Sequence, residues 1–295
     1  MADSVDFLYN AQKEQHKKTE QQVRKGYDLF QIVRYDVVSG RIPEEFEDFK
    51  IVHLSDLHGA LYGEHNRLLV EGIVKERPDI IVMTGDMAEN SAHAVSRLVD
   101  LCRQLGGLYP IYYVVGNHEQ ALPQDMLDKL LMRLRKLGVV VLDNSWCTIS
   151  RQGASVRLYG LVTPQVYYKD RLREYKRGVC YRRENVKEAL GKASPGFNMM
   201  LAHNPLYYPA YKSWGADLVF AGHIHGGVIR VPGLGGLLSP DMTFFPKYDG
   251  GYFREGEGHL VVSRGLGNHF LVRVMNPPEV VAVTLKIPLM KTAKE

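Results

Sequence analysis

The chain contains short apolar runs that each end in polar residues suited to chemistry. The first run, residues 51–54, leads into Asp56 and His58 in the sequence IVHLSDLH. Later runs over 80–84, 111–115, 199–202 and 218–221 lead into the sequences GD, GNHE, H and GHIH. Apolar stretches of this length between polar residues are typical of strands buried on both faces. The pattern therefore predicts buried strands whose carboxyl ends carry Asp, Asn or His.

Apolar residues at helical spacing separate these strands in the first half of the chain. They predict helices over 66–76, 91–105 and 124–137, each of which stops shortly before a Pro or Gly. An edge strand is predicted over 30–38 and a further buried strand over 139–142. Strands that alternate with helices indicate a largely parallel sheet with right-handed crossovers.

The second half contains fewer helical signals. Strands over 146–150 and 156–161 flank the turn sequence RQG and predict a hairpin. Beyond a charged helical segment, further strands are predicted at 197–202, 218–221, 228–231, 260–263, 270–274 and 280–285. This pattern indicates a second, largely antiparallel sheet packed against the first. Residues 232–258 are rich in Gly, Pro and aromatic residues, and they are predicted to form a long functional or mobile loop.

Length and composition are those of an ordinary globular protein. The 295 residues allow one large domain or two small ones. Hydrophobic residues make up 45% of the chain and charged residues 24%. No apolar run approaches the ~20 residues that span a bilayer, and the N-terminus lacks a signal pattern. We expect a protein that is cytoplasmic or peripheral to the membrane, but a chain from which an anchor had been removed would look the same.

The cysteine spacing and the charge distribution bear on the kind of site and ligand that the chain can have. Cys102, Cys147 and Cys180 lie far apart, so neither a disulfide framework nor a thiolate zinc site is indicated. The net charge is +4, and residues 169–192 contribute nine Lys or Arg against four acidic residues. This local positive charge either favours an anionic substrate or surface, or belongs to a solvated helical face.

Residues at the strand ends have side chains that bind metal ions: Asp56, His58, Asp86, Asn117, His203, His223 and His225. Their mixture of oxygen and imidazole donors suits Mn²⁺, Fe or Zn²⁺, whereas an all-oxygen set would suit Ca²⁺ or Mg²⁺. Seven donors are too many for one ion with an open position, but they fit two ions that share a carboxylate. Paired ions ~3.5–4 Å apart are a common device for in-line attack of hydroxide at phosphorus.

Other catalytic classes lack their motifs. The sequence has no Gly-x-Ser-x-Gly elbow, no P-loop and no cysteine beside a motif. We therefore predict direct hydrolysis without a covalent intermediate. The remaining histidines match no motif and are not predicted as ligands: His16, His53, His65, His93, His259 and His269.

The order of the motifs DxH, GD, GNHE, H and GHxH resembles that of the calcineurin-like metallophosphoesterases over about residues 50–270. The resemblance implies an α/β (mixed α+β) fold of the metallo-dependent phosphatase type. In that fold, two central mixed sheets flanked by helices form a four-layer α/β/β/α sandwich. The chain would divide into an N-terminal helical arm and edge strand (1–48), a metallophosphoesterase domain (49–288) and a tail (289–295).

The same resemblance implies a role for each motif residue. One ion would be bound by Asp56, His58, Asp86 and His225. The other would be bound by Asp86, Asn117, His203 and His223. His118 would contact the phosphate and protonate the leaving group, and Glu119 would orient His118. The cofactors would be two divalent metal ions. We expect Mn²⁺ first, with Fe and Zn²⁺ as alternatives.

The C-terminal part narrows the resemblance to one bacterial branch of the family. The chain resembles that branch in the segments GHIHGGVIRVP, SPDMTFFPKY, SRGLGNH and NPPEVVAVTL. The branch includes membrane-associated phosphodiesterases and UDP-diacylglucosamine diphosphatase-like enzymes. Within these segments, Arg264 and Asn268 could reach the substrate. The insert 164–195 and the loop 232–258 would lie near the active site, and their aromatic residues would either line the cleft or pack the loop against the body.

Three functions follow from this pattern. The first is a phosphodiesterase or pyrophosphohydrolase that acts on a small, nucleotide-linked or lipid-linked phosphoester, with peripheral membrane contact. The second is a nuclease, with nucleic acid as the less favoured partner. The third is a non-catalytic metal-binding scaffold, which leaves His118 and Glu119 unexplained. No obligate protein partner is indicated.

Overall fold

The computed structural model describes residues 30–168, 180–227, 229–231, 235–238, 246–267 and 273–288. The strands are β1 (Gln31–Val38), β2 (Lys50–Leu54), β3 (Ile80–Met83), β4 (Ile111–Tyr113), β5 (Val140–Val141), β6 (Ser145–Arg151), β7 (Ala154–Leu161), β8 (Asn198–Ala202), β9 (Leu218–Ala221), β10 (Ile229–Val231), β11 (Gly235–Leu238), β12 (Gly251–Glu255), β13 (Gly258–Val262) and β14 (Glu279–Lys286). The α-helices are α1 (Arg67–Glu76), α2 (Ala92–Gly106), α3 (Asn117–Gln120), α4 (Gln124–Lys136), α5 (Arg183–Leu190) and α6 (Tyr208–Trp214).

The strands form two six-stranded sheets and a separate hairpin. The first sheet has the order β1-β14-β2-β3-β4-β5, and the second has the order β12-β13-β9-β8-β7-β6. Strands β2 to β5 are parallel neighbours, which confirms the predicted parallel sheet. The predicted edge strand is confirmed as β1, and the predicted hairpin around the sequence RQG is confirmed as β6 and β7. The hairpin of β10 and β11 stands apart from both sheets.

Three apolar layers confirm the predicted four-layer α/β/β/α sandwich. Along β3, Ile80 and Val82 face the layer between the sheets, whereas Ile81 and Met83 face the helices. Helices α1, α2 and α4 cover the first sheet, and α5 and α6 cover the second. Each central strand is therefore buried on both faces, which explains why it is a continuous apolar run in the sequence.

The prediction that the second sheet is largely antiparallel is wrong. Strands β7, β8, β9 and β13 are parallel, and only the edge strands β6 and β12 run antiparallel to their neighbours. The helix α6, which returns the chain from β8 to β9, was not predicted, because its few apolar residues do not form a long periodic pattern. The last strand also departs from the prediction, since β14 inserts between β1 and β2 of the first sheet.

Other predictions concern segments that the structure describes only in part. The helical arm over 1–29, the tail 289–295 and the segment 169–179 lie outside the described residues. The described remainder of the basic segment forms α5, which buries Val186 and Leu190 and exposes its charged residues. The predicted loop 232–258 contains β11 and β12, so it is not a single unstructured loop. None of the described helices is both long and apolar enough to cross a bilayer.

A buried polar network lies between the two sheets beneath the strand ends. His53 on β2 is fully buried, and its ring packs edge-on against Phe220. Its Nε2 lies 2.8 Å from the hydroxyl of Thr84, which in turn donates to Ser55 at 2.8 Å. Because the Thr84 hydroxyl is already a donor there, His53 donates through Nε2–H. Burial lowers the pKa of His53 to about 3, so the ring is neutral at physiological pH.

We predict that His53 makes the fold acid-sensitive. The folded-state pKa lies below the unfolded value, so the unfolded chain takes up a proton first as the pH falls below about 6.5, and the native state loses stability. The contribution approaches about 1.4 kcal/mol per pH unit between pH 6 and pH 4. His53→Gln, which keeps a donor toward Thr84, should show a smaller acid-induced loss than wild type in urea unfolding. Equal pH dependence in both proteins would contradict this.

Candidate metal centre

The predicted ligand residues converge where strands of both sheets end. Strands β2, β3 and β4 are parallel neighbours in the first sheet, and β8 and β9 are parallel neighbours in the second. Backbone hydrogen bonds join their ends within each sheet, from Asp56 N–H to Gly85 O at 3.0 Å and from Gly222 N–H to His203 O at 3.0 Å. The motif residues therefore lie together at one edge of the sandwich, as the strand-end pattern predicts.

Several of these residues have an unusual backbone conformation. Positive φ angles occur at Asp56 (51°), His58 (47°), Asp86 (50°), His223 (70°) and His225 (54°). A left-handed conformation outside glycine costs about 1–3 kcal/mol per residue and persists only where the surroundings enforce it. The strand ends thus turn sharply and direct these side chains toward one another.

The first group of ligand atoms comes from Asp56, His58 and His225. The Nε2 atoms of His58 and His225 lie 3.2 Å apart, and Nε2 of His225 lies 3.3 Å from Oδ1 of Asp56. Nε2 of His58 lies 4.0 Å from the same carboxylate oxygen. All three ligand atoms lie within 4.8 Å of one another, as required for a shared cation. This group matches three of the four ligands predicted for one ion.

The second group comes from Asp86, His203 and His223, whose ligand atoms also lie within 4.8 Å of one another. Nδ1 of His203 donates to the carbonyl of Thr84 at 2.7 Å, and its Nε2 lies 3.0 Å from Oδ2 of Asp86. Burial alone would lower the pKa of His203, but the Asp86 carboxylate raises it to about 9. A proton or a cation is therefore needed between this nitrogen and this oxygen.

The charge and polarity of the buried groups fit divalent cations. Asp56 and Asp86 are both buried, and no Lys or Arg forms an ion pair with either among the residues that the structure describes. Burial opposes ionisation of Asp86, yet the neighbouring His203 holds the pKa of this carboxyl well below its usual value. The Oδ1 atom of Asn117 is buried without a hydrogen-bond partner. The sharing of Asp86 between two ions stays a prediction.

His118 lies at the open side of the site. Its backbone N–H donates to Oδ1 of Asp86 at 2.8 Å, and its ring packs edge-on against His58 with centroids 4.8 Å apart. The side chain is 28% exposed, whereas the side chains of Asp56 and His203 are fully buried. His118 is thus accessible to a ligand that enters from solvent, as its predicted contact with a phosphate requires.

Glu119 connects the loops that follow β3 and β4. Its buried carboxylate accepts backbone N–H groups from Asp86 at 2.8 Å, Ala88 at 2.9 Å and Gly116 at 2.9 Å. It therefore ties the loop after β3 to the loop after β4. Glu119 and His118 both belong to α3, and the orientation of His118 by Glu119 stays a prediction.

Glu89 is a site residue that the sequence reasoning missed. Its carboxylate lies 3.0 Å from Nδ1 of His58, and its side chain is 36% exposed. Glu89, His58 and His118 also form a third group of possible ligand atoms within 4.8 Å. A carboxylate against the outer nitrogen of a histidine orients the ring toward a metal ion. In the sequence, only its position three residues after Asp86 could have indicated a role at the site. That position does not distinguish Glu89 from an acidic residue exposed to solvent.

Arg264 and Asn268 are the two residues predicted to contact the substrate. The guanidinium of Arg264 is ion-paired with the buried carboxylate of Glu279, with Nε at 2.7 Å from Oε2. The backbone N–H of Arg264 also donates to Glu279, at 2.9 Å. Arg264 therefore has a structural contact, and its contact with the substrate stays a prediction. Asn268 lies outside the described residues.

The aromatic residues around the site mainly pack. Tyr168 is buried with its ring edge against His223 at a centroid distance of 5.1 Å. Tyr181 packs against Tyr167 and Tyr207, and Tyr248 is buried against α6. These contacts favour the interpretation that the aromatic residues pack their loops against the body. In β12, Phe253 packs edge-on against Tyr248 and Tyr252 stacks on His259. Tyr175, Phe244 and Phe245 lie outside the described residues.

Comparison with known proteins agrees with this geometry. The profile of the calcineurin-like phosphoesterase family matches residues 49–227, which is more than half of the chain. The chain belongs to this family. Its members hydrolyse phosphoesters with divalent metal ions, so the protein is a hydrolase of the metallophosphoesterase class.

Relatives match along most of their length. The uncharacterized metallophosphoesterase YkuE of Bacillus subtilis is 27% identical over 265 residues, which cover 88% of this chain and 86% of YkuE. The phosphodiesterase YaeI of Escherichia coli is 26% identical over 241 residues, which cover 80% of this chain and 82% of YaeI. Among solved structures, TT1561 of Thermus thermophilus aligns over 74% of this chain and 89% of its own, with 15% identity and a TM-score of 0.45.

We predict that Glu119→Gln destabilises both the fold and the metal centre. The new amide places an N–H donor against backbone donors, so at least one buried N–H group loses its acceptor, at a cost of about 1.5–3 kcal/mol. Urea unfolding of metal-free protein measures this cost. The matched control is Glu257→Gln, since the side chain of Glu257 is 75% exposed. Equal stability of the two variants would show that the Glu119 contacts do not hold the loops.

Proposed function

We propose that this protein is a dinuclear metal-dependent phosphoester hydrolase that cleaves a phosphodiester or a diphosphate by in-line attack. The observation that carries the proposal is the pair of adjacent ligand groups, one from Asp56, His58 and His225, the other from Asp86, His203 and His223. The two groups contain the buried carboxylates of Asp56 and Asp86, which divalent cations would neutralise.

The donor chemistry supports the choice of ions. Each group combines carboxylate oxygen with imidazole nitrogen and lacks sulfur, a set that suits Mn²⁺ first, with Fe and Zn²⁺ as alternatives. When bound, two such ions supply Lewis acidity and a hydroxide nucleophile at neutral pH. Asp86 and Asn117 would complete the two ligand sets in the way the family resemblance implies.

The residues of this chain bind and orient the substrate. His118, at the open side of the site, contacts the phosphate and protonates the leaving oxygen. Its backbone is held by Asp86 at 2.8 Å, and its ring rests on His58, so its position is defined from two sides. The side chains of Asp56, Asp86 and His203 are buried, which limits the access of bulk water to their ligand atoms.

The substrate is a small, nucleotide-linked or lipid-linked phosphoester. One relative over most of this chain, YaeI, is named a phosphodiesterase, which supports a diester over a monoester. The basic segment 169–192 supports an anionic substrate or peripheral contact with an anionic membrane surface.

A direct test is hydrolysis of a chromogenic phosphodiester and of its monoester analogue by chelator-stripped protein. We expect Mn²⁺ to restore activity, because the carboxylate and imidazole donors of the site suit this ion. We expect diester cleavage to exceed monoester cleavage, because the relative YaeI is named a phosphodiesterase. Activity that persists without metal would contradict the proposal. Absence of turnover with Mn²⁺, Fe²⁺ and Zn²⁺ on both substrates would favour the scaffold instead.

We predict that His118→Ala separates binding of metal from chemistry. Loss of a positioned acid should lower turnover about 10²- to 10⁴-fold, while the metal content per chain stays at the wild-type value. Metal analysis and steady-state kinetics on the same preparation measure both. His65→Ala is the control, since the His65 side chain is 74% exposed and belongs to no motif. Wild-type turnover in His118→Ala would exclude the assigned role.

A further inference from the structure

The last described segment before β14 contacts the metal centre from a part of the chain that the family profile does not cover. The profile ends at residue 227, whereas Arg273 and Asn276 both contact His225. We call these two residues the C-terminal clamp. Neither Arg273 nor Asn276 belongs to one of the metal-binding motifs.

Asn276 holds the backbone around His225. Its side chain is only 1% exposed, and Nδ2 donates to the carbonyls of His225 and Gly227, each at 2.6 Å. Consecutive positive φ angles occur here, at His225 (54°), Gly226 (69°) and Gly227 (85°). A run of left-handed residues is not stable by itself, so it needs contacts that satisfy its carbonyl groups. Asn276 provides two of these contacts.

The turn and Asn276 fit each other closely. A Cβ atom at Gly226 would lie 2.6 Å from Oδ1 of Asn276 and 2.7 Å from Cγ of Arg264. Glycine is therefore required at this position for close approach as well as for its φ angle. The geometry indicates that the turn after β9 is shaped against the C-terminal clamp.

Arg273 contacts the side chain of His225. One of its terminal nitrogens lies 3.3 Å from Nδ1 of His225 and also donates to the carbonyl of Gly267, and the other donates to the carbonyl of Arg264 at 2.7 Å. No carboxylate pairs with Arg273 among the described residues. The guanidinium thus lies on the side of the ring opposite to Nε2, which faces Asp56 at 3.3 Å.

We propose that Arg273 and Asn276 are positioning residues that set the orientation of His225 for binding of the first ion. The inference rests on the proposed dinuclear function and adds to it the residues that make one of its ligand groups rigid. Ligands need to be held within about 0.5 Å of their working geometry. Asn276 fixes the main chain of His225, and Arg273 fixes its ring, so Nε2 stays directed at Asp56 and His58.

The experiment measures metal ions per chain by elemental analysis after dialysis, without any substrate. Wild type should retain about two ions. Asn276→Asp, which has the same shape but no donor, should retain about one ion, with the affinity for the weaker ion lowered about 10- to 100-fold. Arg273→Gln should show a loss in the same direction.

Matched control variants distinguish positioning from a general loss of stability. Asn198 is also 1% exposed and also donates through Nδ2 to two carbonyls, at 2.9 and 3.0 Å, at the start of β8. Arg41 donates to two carbonyls, at 3.3 and 2.9 Å, and in addition pairs with Asp217 at 2.7 Å, away from the ligand groups. Asn198→Asp and Arg41→Gln should retain both ions, even if they unfold at lower urea concentration.

The outcomes separate this inference from the proposed function. If wild type holds two ions and the clamp variants retain as many as their controls, the clamp does not position His225 and the inference is wrong. If the clamp variants and the controls lose metal equally, the effect is general stability, and the inference is also wrong. Wild type that binds no ion overturns the proposed function itself. If Asn276→Asp does not fold, the comparison of Arg273→Gln with Arg41→Gln decides.

Discussion

The structure depends on the burial of two carboxylates where its two sheets meet. Moving an ionised carboxylate out of water costs several kcal/mol even after the protein relaxes. For Asp56 and Asp86, the compensation comes from histidines and backbone N–H groups, and no Lys or Arg pairs with them among the described residues. Protons or cations that share the site therefore stabilise the two carboxylates further, which agrees with the divalent metal ions that the family uses.

The sandwich architecture makes this concentration of charge feasible. Parallel strands end side by side, so polar residues placed just after each apolar run meet without any long loop to position them. The left-handed turns at these ends and the carboxylate of Glu119 then convert approximate convergence into fixed geometry. Strain at the site is offset by the three apolar layers, which account for most of the buried side chains.

Local sequence patterns predicted much of this, and long-range contacts account for what they missed. The helices and the strand-end ligands follow from periodicity, from Pro and Gly positions and from residue type, all of which act within a few residues. The place of β14 depends on pairs such as Val281 with His53, which are far apart in sequence and carry no local signal. The same limit applies to Glu89, whose role depends on the ring that it meets.

The position of β14 links the end of the chain to the site. Because β14 lies between β1 and β2, the segment before it must pass beside the end of β2, where Leu266 N–H donates to Ser55 O at 3.0 Å. The buried ion pair of Arg264 with Glu279 fixes this passage at the first residue of β14. The residues that reach His225 are thus placed by completion of the first sheet. It follows that the ligand motifs are not the only residues that shape the site, since Arg273 and Asn276, which contact the predicted ligand His225, belong to the segment that leads into β14.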